Sequence, residues 1–151
     1  MNINDIAPCG IDCINCEVYE PNNRRDIWQM FAERFGVTAE EIACKGCRIQ
    51  GGCSIHKDCE TLDCVKAKKI DSCGDCSEFP CRKLMPLAAN AERVPHNLKV
   101  YNLCRIKQIG AEEFLKESAK NREYYFKGKF KIGAGPRSAP RSRSLTTKVR
   151  T

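Results

Sequence analysis

Large side chains are scarce in this chain: its 151 residues include one Trp, six Phe and four Tyr. No stretch approaches the eighteen apolar residues of a membrane-crossing helix, so no membrane association is expected. The opening Met1-Asn2-Ile3-Asn4-Asp5 lacks the basic, apolar and small-residue regions of a secretory signal, and a reducing, cytoplasmic setting is expected. Catalytic signatures are missing too. There is no His-Glu-X-X-His helix, deaminase-like His-X-Glu, phosphate loop or serine elbow, which argues against an enzyme.

Cysteine is what the chain has in abundance. Twelve occur, and eleven precede residue 82: Cys9, Cys13, Cys16, Cys44, Cys47, Cys53, Cys59, Cys64, Cys73, Cys76 and Cys81. In a secreted chain this density would imply a disulfide scaffold; in a reducing compartment it implies bound metal. The twelfth, Cys104, falls among Leu98, Tyr101, Leu103, Ile106 and Ile109 on what reads as an apolar helix stripe, and is expected to be buried packing.

The net charge of +7 is unevenly placed. Residues 127–151 carry eight Lys or Arg and no Asp or Glu, which leaves residues 1–126 with 18 basic and 19 acidic groups. The basicity belongs to a tail whose Gly, Pro, Ser and Arg content predicts disorder. Such a tail suits nucleic acid or an unidentified protein partner.

Periodicity divides the remainder. Ile27, Trp28, Phe31 and Phe35 predict an amphipathic helix over 22–36 with Gly36 as its stop. Thr38 and Glu41 form a capping box for a short turn reaching Ile42. From Cys44 to Cys81 glycines and cysteines leave room for knuckles, short strands and one helical turn at 64–70. Beyond Pro80 three helices are expected: 81–91, kinked at Pro86, then 95–109 and 111–126, parted by Gly110. The expected fold is thus a small metal-stabilised domain over 1–126, mainly α. Irregular zinc-knuckle loops with short strands occupy 8–81, a helical cap 82–126, and a disordered basic tail 127–151.

Three Cys-X-X-Cys pairs carry the chemistry: Cys13 with Cys16, Cys44 with Cys47, and Cys73 with Cys76. Two intervening residues let a tight turn present both thiolates to one tetrahedral ion while turn N–H groups stabilise the sulfurs. At four ligands per structural zinc, eleven cysteines fill two sites with three spare. Three sites need a twelfth donor, for which His56, between Cys53 and Cys59, is the candidate and Cys104 the second. Lys45, Arg48, Lys57, Arg82 and Lys83 are placed to offset the charge of about −2 on each four-thiolate site. Iron–sulfur is the alternative, although the ferredoxin run of cysteines is absent. Asp12, inside the first loop, is expected to fix its turn by accepting backbone N–H bonds.

The order Cys9-Gly10-Ile11-Asp12-Cys13-X-X-Cys16, Cys44-X-Gly46-Cys47, Cys59 and Cys64, then Cys73-X-X-Cys76-X-X-Phe79-Pro80-Cys81 resembles the cysteine-rich family of unknown function DUF3795. Leu98, Arg105, Ile106, Lys107, Ile109, Gly110, Glu113 and Leu115 are similar to that family's ending, so the resemblance spans about residues 7–118. It implies a metal-binding character and no particular activity. The expected function is a zinc-binding structural or interaction module holding two or three ions; the alternatives are an iron–sulfur protein in electron transfer or redox sensing, and a nucleic-acid-binding accessory protein acting through the tail.

Overall fold

The computed structural model describes residues 2–131 and 135–137, and over these the chain is mainly helical. The helices are α1 (Arg25–Phe35), α2 (Ala39–Ile42), α3 (Cys47–Gln50), α4 (Glu60–Lys68) and the long α5 (Lys99–Lys127). Short 3-10 turns join them.

Local signals account for the first two helices. Gly36 closes α1 in the left-handed conformation, at φ 68, a state glycine enters without a Cβ penalty. Thr38 and Glu41 make the reciprocal capping box that starts α2. The two helices bury Trp28, Ala32 and Ile42 against Val18 and Cys44, and the Trp28 indole N–H donates to the Glu17 carbonyl at 3.0 Å. Phe35 stays on the surface, stacked on Phe31.

Three expectations need correction. The turn placed at 64–70 is the nine-residue α4, which begins at Glu60 and ends before Ile70. The helix expected over 81–91 is one 3-10 turn, Arg82–Leu84, after which Met85 is extended at φ −63, ψ 131. Pro86 explains the stop, because a proline ring disfavours helical angles in the residue before it. The helix expected from Pro95 begins with the 3-10 turn His96–Leu98 and becomes α-helical at Lys99. Gly110 does part the last helix as expected: at φ 80, ψ 162 it breaks α5 into two limbs, and Arg105 on the first limb pairs with Glu117 on the second at 2.8 Å.

The first limb of α5 packs Leu103 against Val65, Cys73 and Leu84. Beyond Gly110, Phe114 and Leu115 pack on Ile6. The second limb of α5 thus closes over the first residues of the chain. After α5, β1 (Lys129–Lys131) pairs antiparallel with β2 (Gly135–Arg137), with Phe130 opposite Pro136. The segment expected to lack regular structure from 127 therefore begins with a short ladder; residues 138–151 lie outside the described residues. No helix among the described residues is long and apolar enough to cross a membrane.

Candidate metal centre

Two of the three Cys-X-X-Cys segments share one backbone form. Cys16 N–H donates to the Cys13 carbonyl at 2.9 Å and Cys76 N–H to the Cys73 carbonyl at 3.2 Å. A second turn follows at once in each, from Tyr19 N–H to the Cys16 carbonyl at 3.1 Å and from Phe79 N–H to the Cys76 carbonyl at 3.0 Å. Each knuckle is a double turn ending on an aromatic residue. The middle segment differs because Cys47 opens α3 and Gly46 stands at φ 93, where a Cβ would also come within 3.3 Å of the Asn4 carbonyl oxygen. Cys53 and His56 make a fourth turn, His56 N–H donating to the Cys53 carbonyl at 3.2 Å.

Backbone bonds tie these turns into one body. Cys44 N–H donates to Val18 and Glu20 N–H to Cys44, joining the first two cysteine segments, and Cys73 N–H donates to Pro8 at 2.9 Å, joining the first and third. Arg48, expected to neutralise thiolates, instead donates to the Ile6 and Asp71 carbonyls, each at 2.8 Å, and so bridges all three.

The fold sorts the eleven cysteines into two cavities. Cys64 from α4, Cys73 and Cys76 from the third knuckle, and Cys81 line one of about 480 Å³. Its wall also carries two ion pairs, Lys68 with Glu78 at 2.8 Å and Lys83 with Glu60 at 3.1 Å. Lys68 Nζ also lies 3.4 Å from Cys76 Sγ, and Glu78 first, then Cys76, holds its ammonium above the usual range. Cys9, Cys13, Cys16, Cys44, Cys47, Cys53 and Cys59 line a second cavity of about 310 Å³, together with His56, His96 and Lys99. Among the described residues no carboxylate lines this one.

Burial sets the state of these thiols. It pushes Cys13 up to about 12, Cys47 and Cys73 up to about 11, and Cys9 and Cys16 in the same direction, with neighbouring thiols adding to the rise in Cys13, Cys47 and Cys73. The Cys53 thiol donating to the Cys44 sulfur draws Cys44 below the ordinary range and holds Cys53 above it. Among the described residues no group of three or more His, Cys, Asp or Glu side chains is arranged so as to hold a metal ion. The convergence is therefore one of cavity walls and donor type. Eleven sulfurs at two sites, one of them without lining carboxylate, fit a thiophilic ion and do not fit calcium or magnesium.

The second cavity takes the start of α5, at Lys99, into its wall. Asn102, buried on its first limb, donates to the Gly10 carbonyl at 2.8 Å. Gly10 stands at φ 90, and a Cβ there would lie 2.7 Å from the Lys99 carbonyl oxygen and 2.9 Å from Leu103 Cγ. Asp12 is 1 % exposed. It accepts from Asn15 Nδ2 at 2.7 Å and from Arg122 Nη1 at 3.1 Å, while Asn15 also donates to Ser118. Asp12 makes no side-chain cap bond to its turn's backbone. Its role is to fasten the second limb of α5 to the first knuckle through side chains, which corrects the backbone role expected for it.

Two further placements separate sequence from structure. Cys104 is exposed and lines neither cavity, so the buried packing expected of it is wrong. The buried line of α5 runs through Asn102, Leu103 and Ile106, and Cys104 lies with exposed Tyr101 on the other side. His96 and Lys99 reach the second cavity from far along the chain, and no spacing near the cysteines marks them. The proline-started turn that leads into α5 was their only trace.

A family described as protein of unknown function (DUF3795) matches residues 5–86, more than half of the 151-residue chain. The match takes in both sets of cavity cysteines and stops before α5, short of the closing helices included in the resemblance. Neither a curated protein nor a solved structure matches. The chain belongs to the DUF3795 family of proteins of unknown function.

Proposed function

We propose that this protein is a zinc-binding structural module holding about three ions, whose folded form serves as an interaction surface. The observation that carries the reading is the division of the cysteines into a set of four and a set of seven, each lining one cavity. Cys64, Cys73, Cys76 and Cys81 are one tetrahedral donor set. The seven others need one histidine to make two more, and His56, on the Cys53 turn, is the donor named by the sequence. Zinc supplies charge neutralisation and crosslinking of loops that carry little apolar core of their own. Because burial keeps several thiols protonated at neutral pH, ion uptake displaces protons and affinity rises with pH.

The surface left for a partner includes Met85, Leu87 and Val94, exposed on the loop between the 3-10 turn at Arg82–Leu84 and α5. Apolar side chains there support a protein partner over nucleic acid. Of the eight basic residues of the tail, four, Arg141, Arg143, Lys148 and Arg150, lie beyond 137, outside the described residues.

Protein purified without oxygen and assayed by elemental analysis and absorption tests the reading. Colourless protein with stoichiometric zinc is expected, and replacing Cys64, Cys73, Cys76 and Cys81 together by Ser should remove one equivalent. A brown protein with sulfide and a band near about 400 nm would replace zinc by iron–sulfur.

A further inference from the structure

His96 lies in the 3-10 turn that leads into α5 and stands on the wall of the seven-cysteine cavity. Its Nε2 is 2.8 Å from the Leu87 carbonyl oxygen. A carbonyl oxygen accepts and never donates, so Nε2 carries the proton and the neutral ring keeps its lone pair on Nδ1. Metal-bound histidines share this arrangement: one ring nitrogen donates to a carbonyl or carboxylate, which sets tautomer and ring plane, and the other meets the ion.

The acceptor that orients the ring is itself held. Leu87 N–H donates to Asn97 Oδ1 at 3.0 Å, and Asn97 Nδ2 donates back to the Leu87 carbonyl at 3.2 Å. His56 has no such support. It is exposed, and among the described residues its imidazole makes no hydrogen bond. Lys99, three residues beyond His96, lines the same cavity, and its carbonyl oxygen lies 2.7 Å from where a Cβ on Gly10 would stand, which places the start of α5 beside the Cys9–Gly10 backbone.

Resting on the zinc reading above, we propose that His96, through Nδ1, is the eighth donor of the seven-cysteine cavity and shares its ion with Cys9. The turn that leads into α5 then contributes a ligand. Seven sulfurs leave a second tetrahedral site one donor short, and His96 supplies it. This donor comes from outside the matched segment 5–86.

The test uses the full chain loaded with zinc, with His96→Ala, His56→Ala and His96→Cys beside the wild type. Zinc per chain is measured, and ring-nitrogen shifts of the wild type are read by NMR with and without zinc. The proposal expects His96→Ala to lose about one equivalent, His56→Ala to lose none and His96→Cys to restore the full count. It also expects the zinc-dependent shift to fall on Nδ1 of His96. Full zinc in His96→Ala, or a zinc-dependent shift on His56 in place of His96, would overturn the assignment while leaving the zinc reading intact. A wild type that takes up no zinc would overturn both. Should His96→Ala not fold, the wild-type ring shifts and His96→Cys still decide.

Discussion

The two cysteine cavities use the same double turn, Cys13 to Tyr19 in one and Cys73 to Phe79 in the other, yet they are closed by different means. The seven-cysteine cavity meets α5 at Lys99, and its first cysteine loop is fastened to that helix by the Gly10 approach, the Asn102 bond and the buried Asp12–Arg122 pair. The four-cysteine cavity has Val65, Cys73 and Leu84 packed on Leu103 of α5 and carries at its rim Lys68–Glu78 and Lys83–Glu60, whose carboxylates are largely solvent-exposed. Exposed pairs contribute little to stability, whereas a buried pair broken on one side leaves a charge without solvent or partner. Breaking the fastening at the seven-cysteine cavity should therefore spread through the fold, and breaking a rim pair at the four-cysteine cavity should stay local.

The largest expected effect acts on both cavities at once. Structural zinc contributes on the order of 10 kcal/mol where ligand loops lack a core of their own, so a strong chelator should unfold residues 8–81. Near-UV circular dichroism and the emission of Trp28, buried beside Cys44, would report it. Next comes Asp12→Asn, which leaves the Arg122 guanidinium facing a neutral amide and should cost about 3 kcal/mol in urea unfolding. A loss near zero would show that α5 is not held by this pair. Gly10→Ala should cost about 2 kcal/mol, through a positive φ that alanine resists and a Cβ forced against α5. In contrast, Glu60→Gln at the rim of the four-cysteine cavity should leave the urea midpoint unchanged; a fall as large as that of Asp12→Asn would erase the distinction between the two cavities. Smallest of all, Cys104→Ser should change neither zinc content nor stability, since this thiol is exposed and apart from both sites.

How much could be read from sequence depended on how local the cause was. Gly36, the Thr38 capping box and the break at Gly110 each act within a few residues, and each stands where expected. The tight turns at Cys13–Cys16 and Cys73–Cys76 are local in the same sense, whereas the middle pair runs into α3. The segment after Pro80 read as helical from its composition, but Pro86 held Met85 extended and ended the turn. Cys104 was misplaced because apolar residues on several sides of α5 made the buried line look broader than the one through Leu103 and Ile106. The Asp12–Arg122 pair joins residues 110 positions apart, and the place of His96 on the cavity wall depends on how α5 lies across the knuckles. Neither relation leaves a local pattern.

The central claim is that metal held by two cysteine-lined cavities organises this fold. Zinc stoichiometry on anaerobically purified full-length protein, with thermal unfolding followed before and after chelation, tests it most directly. About three zinc ions per chain are expected, with loss of the cooperative transition when they are removed. Metal-free protein that unfolds with an unchanged midpoint would contradict it.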